Sequence, residues 1–279
     1  MESTLIAGIL ISATAATFLN VGKGVQKMKV EVLKQGFKAF RKEHRRDLAG
    51  WASGFLLTFA ASPLLSYAMK LTDKAGIVSA TCGVGIVGLV IFASVVLKER
   101  FGKREAIGCL MVLAGTMLMG YFNKPIEIFQ GYPIAKLFIV IGIIGSFTLL
   151  LCVAAWKTNK LISLTFGATA GLFIGFSLML ADLALIQSGN DFLGQLKNPF
   201  PYIALTTGTV ALVLTQLAFF RGRAMVIVPT INSIMIASPP ILELIVLGTV
   251  MSIMQVVGLL VILGGVLVLT TKTEGIRAT

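Results

Sequence analysis

Charge is scarce in this chain. Only 13% of its 279 residues are Asp, Glu, Lys or Arg, where a soluble domain carries about 25%. That excludes an ordinary water-facing surface. Acids are the rarer sign, 12 against 24 Lys plus Arg. The single histidine, His44, sits among basic residues with no neighbour that suggests catalysis or a metal site. Cys82, Cys109 and Cys152 lack CxxC spacing and fall in apolar stretches, so they read as small packing residues. No Ser-His-Asp set and no phosphate-cradling loop is present. These absences leave an enzyme nothing to act with, and neither catalysis nor a cofactor is expected. Period-two alternation is missing too, which excludes the strands of a membrane barrel.

What remains is apolar. Hydrophobic residues make up 56% of the chain, and mean hydropathy is +0.92. They come in long blocks. A helix crossing the hydrocarbon core needs roughly 20 mostly apolar residues. In lipid the backbone must satisfy its own hydrogen bonds, which leaves helices or a closed barrel. Without alternation, helices are the answer. About nine candidate spans follow, at 4–25, 50–70, 75–96, 105–122, 134–155, 161–186, 202–220, 224–247 and 250–271. No basic n-region precedes the first, so it reads as a retained span. The expected fold class is all-α, a polytopic membrane helix bundle.

The cations are unevenly placed. The first connection carries nine Lys or Arg between Lys23 and Arg46. Lys98, Arg100, Lys103, Arg104, Lys157, Lys160, Arg221, Arg223, Lys272 and Arg277 fall on the same side. The other side has only Lys70, Lys74, Lys124, Lys136 and Lys197. By the positive-inside rule the richer side is cytoplasmic, which puts the N-terminus outside and the C-terminus inside a plasma or inner membrane. Orientation accounts for the net charge of +12, so no nucleic acid partner is expected. Within 26–47, Val25, Met28, Val32, Gly36 and Phe40 recur at near-helical spacing among lysines and arginines. Two readings stand: an amphipathic helix on an anionic cytoplasmic leaflet, or a solvated basic loop that only fixes topology.

An internal repeat organises the chain. Gly108 answers to Gly258, Leu113 to Leu263 and Gly115 to Gly265, all at one offset. Upstream, Ala75-Gly76-Ile77-Val78 answers to Ala224-Met225-Val226-Ile227. Spans 4–25 and 50–70 take the places of 161–186 and 202–220. The result is a first unit at 1–122, a connecting span within 123–160, and a second unit at 161–279. An odd number of spans from one unit's start to the next inverts the second. Two inverted repeats are a common plan of secondary transporters, with substrate near the midplane.

Leu97-Lys98-Glu99-Arg100 and the glycine-spaced helices Ile107-Gly108-Cys109 through Gly115 and Val257-Gly258-Leu259 through Gly265 resemble the EamA-type units of the drug/metabolite transporter superfamily. Such carriers typically have ten spans, against the nine expected here. The nine-span layout, the long basic first connection and the Ile107-Gly108-Cys109 run look more like the NIPA-type branch, associated with magnesium transport. These are packing motifs, which speak to fold better than to substrate. Gly248-Thr249-Val250 stands where the first unit has Lys-Glu-Arg. Glu99 itself, at a helix end, reads as a surface ion pair.

Polar residues inside spans supply the candidate site. Asn232 lies near the midplane of a span holding Pro229, Pro239 and Pro240, expected to be broken as the glycine-rich third span with Gly83, Gly85 and Gly88 is. Asn20, with Thr14 and Thr17 before it, and Gln216 lie towards cytoplasmic ends. Asn232, Asn20, Gln216 and Thr17 are the expected substrate contacts, with interhelical hydrogen bonding as the rival role. Asp182 and Glu243 are the acids well inside spans, read as binding a coupling cation or proton, or as snorkelling to the outer interface. Gly167, Gly171 and Gly175 form a face suited to packing within the chain or against a second copy. The function expected is a secondary carrier moving a small solute or metabolite by alternating access. The alternatives are a NIPA-like magnesium carrier, for which one or two carboxylates with waters suffice, and a non-transporting membrane scaffold.

Overall fold

The described parts of the apolar blocks fold as helices in the computed structural model. The structure describes residues 2–72, 84–99, 102–122, 133–159, 161–188, 194–248 and 251–270. Within them lie α1 (Glu2–Lys29), α2 (Arg45–Thr72), α3 (Val84–Val95), α4 (Lys103–Tyr121), α5 (Ile134–Thr158), α6 (Ile162–Gln187), α7 (Phe200–Arg221), α8 (Ala224–Leu247) and α9 (Ile253–Thr270). No strand occurs among the described residues. Six helices, α1, α2 and α5 to α8, are long and apolar enough to cross a membrane; α3 and α9 are shorter apolar helices. The first part of the predicted third span, 75–83, lies outside the described residues.

The helices form two contact units. The first comprises Met1–Lys124, Gly222–Pro229 and Ser252–Thr279; the second comprises Pro125–Arg221 and Thr230–Met251. This grouping follows packing, whereas 1–122, 123–160 and 161–279 are divided by sequence similarity. The last helix, α9, packs on α4 and so falls in the first contact unit.

Lipid tails are as apolar as the side chains they meet, so helices in a bilayer associate by close packing rather than by escape from water. Glycine permits that approach in the first unit. A Cβ on Gly22 of α1 would lie 2.7 Å from the Gly54 carbonyl oxygen of α2, and one on Gly54 would lie 2.7 Å from the Gly22 oxygen. Gly85 brings α3 against the Ala16 carbonyl of α1. The helices α4 and α9 run antiparallel, with Gly108 against Gly265 and Gly115 against Gly258. An ion pair of 2.6 Å from Lys29 Nζ to Asp47 Oδ1 ties the end of α1 to the start of α2.

The segment 26–47, read either as an amphipathic helix or as a solvated basic loop, does not form one continuous α-helix. Helix α1 runs on through Lys29, and Val30–Phe40 is a 3₁₀ stretch kinked at Gly36, whose φ is 52°. Val30, Val32 and Ala39 are buried, while Met28 and Phe40 are exposed.

In the second unit, Leu137 of α5, Phe176 and Leu180 of α6, Phe200 of α7 and Leu242 of α8 share one buried cluster. Ser177 Oγ donates to the Ala204 carbonyl at 2.7 Å, joining α6 to α7. Gly171 and Gly175 of α6 meet Ile231 and Ser238 of α8, so these two glycines serve packing within the chain.

The expected break in α8 is also absent. The helix is continuous from Ala224 to Leu247 through Pro229, Pro239 and Pro240. Proline at 239 removes the N–H that would bond the Met235 carbonyl. The Ser238 hydroxyl donates to that carbonyl instead, at 3.4 Å. A local replacement of this kind lets a membrane helix carry proline.

Candidate functional site

Three groups of polar residues stand out, two in the first unit and one in the second. The first begins where α3 ends. Leu97 N–H and Val96 N–H both bond the Phe92 carbonyl, and Lys98 turns the chain with φ 55°. This left-handed step brings Glu99 to the start of α8. Its Oε1 accepts from Ala224 N–H at 2.7 Å and its Oε2 from Met225 N–H at 3.0 Å. The Arg223 carbonyl accepts the next two, from Val226 at 3.1 Å and Ile227 at 3.0 Å. Three of the N–H groups that a helix start leaves unpaired, those of Ala224, Met225 and Val226, therefore have acceptors, and Ile227 makes the first regular helical bond. The negative carboxylate also faces the positive end of the helix dipole. Glu99 is thus a cap for α8, which corrects its reading as a surface ion pair. Beside it, Arg223 Nη1 lies 3.1 Å from Glu105 Oε1. The other oxygen of Glu105 accepts from Gly102 N–H at 3.1 Å, a capping contact at the start of α4. The connection from α3 to α4 and the start of α8 are interlocked.

The second group lies on α1. Asn20, Lys23 and Gln26 are 1%, 3% and 1% exposed. Gln26 Nε2 donates to Thr58 Oγ1 at 3.0 Å and to the Gly54 carbonyl at 3.3 Å, both on α2. Asn20 Nδ2 donates to the Ala16 carbonyl at 2.9 Å and lies beside Gly85 of α3. Thr17 is half-buried beside Gly88, its hydroxyl donating to the Ala13 carbonyl at 2.8 Å; Thr14 is exposed. Lys23 was counted by sequence among the cations of the first connection. The structure corrects this: it is a buried residue inside α1, six positions before that helix ends.

The third group is in the second unit. Thr230, Asn232, Ser233 and Ser238 of α8 are all buried, as are Gln216 of α7 and Thr169 of α6. The Thr169 hydroxyl lies 3.3 Å from Cys152 Sγ. Cys109 and Cys152 are buried packing residues, and Cys82 lies outside the described residues. At the far end of α8, Lys136 Nζ donates to the Val246 carbonyl at 3.0 Å, a cation at the negative end of the dipole. Gly248 closes the helix with φ 71°.

Among the predicted site residues, Asn20 and Thr17 belong to the first unit, and Gln216 and Asn232 to the second. Asp182 and Glu243 stand on α6 and α8, and their side chains lie outside the described residues. Sequence reasoning missed Lys23 and Gln26, whose signal is a spacing of three from Asn20 on one helix. No family model matches the chain, and neither a curated protein nor a solved structure does.

Proposed function

We propose that the protein is a secondary carrier of a small solute, working by alternating access, with nine spans in two inverted repeats of the drug/metabolite transporter type. The observation that carries this is the polar interior of α8. Thr230, Asn232, Ser233 and Ser238 are buried in a helix otherwise apolar enough to span a bilayer. Polar groups inside a membrane protein are costly unless used, and they concentrate along substrate paths. Pro239 adds a backbone carbonyl, Met235, held by a side chain rather than by the helix ladder.

Two features support the repeat. Lys98 and Gly248 stand at the same offset as Gly108 and Gly258, and both end a helix in the left-handed conformation. The contacts of Gly108 with Gly265 and of Gly115 with Gly258 exchange under that offset, as a twofold-related antiparallel pair would. Alternating access also needs gates. The Glu99 cap and the Glu105–Arg223 pair suit a cytoplasmic one, because parting the α3–α4 connection from α8 would undo both at once.

Uptake and efflux in proteoliposomes, screened over magnesium and common metabolites, tests this reading. Gradient-driven flux of a metabolite supports it. Flux of magnesium alone, lost in Glu243→Gln, favours the NIPA-like alternative. Absence of flux for every solute leaves the scaffold.

A further inference from the structure

The start of α2 holds an open recess of about 570 Å³, within the size range of small-ligand sites. Arg45 and Arg46 form its rim, and Leu48, Ala49 and Ala52 its floor. Both arginines are exposed, and neither guanidinium has a hydrogen bond or ion pair among the described residues. The acid beside them, Asp47, is bonded to Lys29 at 2.6 Å, and Arg46 meets it only through its field. Glu43, exposed on the 3₁₀ turn before α2, is the other acid near in sequence. Helix geometry, about 100° per residue, sets what lies below the rim. Gly50 and Gly54 face α1, at Lys29 and at Gly22. Arg45, Ala49, Ala52, Leu56 and Phe59 fall on the opposite side of α2. Leu56 and Phe59 are exposed there, and α2 is the least buried of the six helices long enough to cross a membrane. One face of α2 therefore runs from two guanidiniums, over small side chains, to large apolar ones.

Such a face suits a molecule that is anionic at one end and hydrocarbon at the other. A guanidinium holds a phosphate through parallel N–H bonds, and both rim arginines have those donors to give. They stand at the end of an apolar helix, the level at which lipid headgroups lie and at which basic pockets take anionic ones. Ala49 and Ala52 leave room beside the helix for the glycerol backbone and the first methylenes, and Leu56 continues the apolar path. A free phosphate has no use for that floor. An acidic peptide has no use for a face that continues into hydrocarbon. A zwitterionic headgroup brings a cation of its own against two guanidiniums.

We infer that the recess at Arg45 and Arg46 binds one anionic phospholipid, its phosphate on the two guanidiniums and an acyl chain along Ala49, Ala52 and Leu56. The sequence placed attraction to an anionic leaflet on a helix at 26–47; the recess lies instead at the start of α2. The site goes beyond the carrier reading and stands whether or not the protein moves a solute.

The test uses the full chain in one fixed detergent, with bound lipid counted by native mass spectrometry. The probes are phosphatidylglycerol, phosphatidylcholine, glycerol 3-phosphate and an oligoglutamate peptide. Phosphatidylglycerol should bind at least about tenfold more tightly than phosphatidylcholine, a factor worth ~1.4 kcal/mol. Arg45→Gln combined with Arg46→Gln should remove most of that preference. Lys38→Gln combined with Lys42→Gln takes two exposed charges from the same connection without touching the recess, and should keep it. Ala52→Leu retains both arginines and fills the floor; it should weaken phosphatidylglycerol by about fourfold or more, the worth of one buried methylene. That substitution lies on the face turned away from α1, so it decides the matter even if the arginine pair fails to fold. Equal loss of preference in the lysine and arginine pairs would reduce the binding to diffuse attraction by the basic connection and overturn the inference. So would parental binding in Ala52→Leu, or a parent that does not distinguish the two lipids. Displacement of phosphatidylglycerol by equimolar glycerol 3-phosphate or oligoglutamate would give the recess to a free phosphate or to an acidic partner, and overturn the lipid.

Discussion

Replacing Glu99 by alanine should destabilise the protein more than any single surface ion pair does. The side chain accepts two N–H bonds at 2.7 and 3.0 Å from the first turn of α8. Loss of a helix cap costs about 0.5–2 kcal/mol. Hydrogen bonds to a charged group are worth roughly 1.5–3 kcal/mol each. These overlap, since both describe the same orphaned donors, so about 2–3 kcal/mol is the expected loss. Glu99→Gln keeps one acceptor oxygen but loses the charge facing the dipole, and should lose about 1 kcal/mol. At roughly 2–4 °C per kcal/mol for a chain near this size, alanine should lower the midpoint by about 4–12 °C and glutamine by about 2–4 °C. Arg223→Ala breaks a pair whose partners are partly solvated, 31% and 22% exposed, and should cost at most about 1 kcal/mol. Thermal unfolding of purified protein in one fixed detergent, at low and high salt, measures all three. A surface ion pair fades as salt shortens the Debye length to about 3 Å at 1 M; backbone capping bonds do not. If Glu99→Ala shifts the midpoint no more than Arg223→Ala does, and the shift disappears in salt, the capping argument is wrong.

Other outcomes follow from the same contacts. Gly115→Ala would set a Cβ 2.6 Å from the Gly258 carbonyl and should cost about 1–3 kcal/mol as overpacking. Gly142→Ala, with nothing within 4 Å of the new Cβ, should be neutral or stabilising by about 0.5–1 kcal/mol; equal loss at both positions in the same unfolding assay would refute the packing account. The Thr116 hydroxyl is buried without a hydrogen-bond partner among the described residues, so Thr116→Val should gain about 1 kcal/mol, and a lower midpoint would mean that the hydroxyl has a partner. Replacing Pro239 and Pro240 together by alanine should leave insertion intact, since α8 is already continuous. It should cut transport about tenfold, the worth of one hydrogen bond of ~1.4 kcal/mol to a carbonyl that the restored N–H now occupies; parental rates would demote these prolines to packing. Cysteine labelling from outside should reach a probe at Asn190 and spare one at Lys42, and the reverse pattern would invert the orientation.

Helix existence was legible because it depends on composition alone: blocks such as 134–155 and 224–247 fold as Ile134–Thr158 and Ala224–Leu247. Features set by a partner distant in sequence were not. Glu99 and Ala224 are 125 residues apart, and no local pattern says that the carboxylate will meet a helix start rather than a lysine. The break expected in α8 failed for a related reason. Proline removes a donor wherever it stands, but whether the helix yields depends on what replaces that donor, and here Ser238 is already adjacent.

Lys23 shows where a sequence reading goes astray and how it would be repaired. Counting cations by connection put it with Lys27 and Lys29, because apolar content falls after Asn20. A helix does not end where apolarity does, however; α1 continues to Lys29 and closes on Asp47. Once the helix is extended, the spacing changes meaning. Asn20, Lys23 and Gln26 recur every three residues, which holds them within about 120° of one helix face. Lys29, by contrast, pairs with Asp47, and both remain partly exposed at 33% and 47%. A cation meant for the interface keeps access to water in this way. One that shares its face with two buried amides and has only 3% exposure has given that access up, and is held by the protein around it rather than by water.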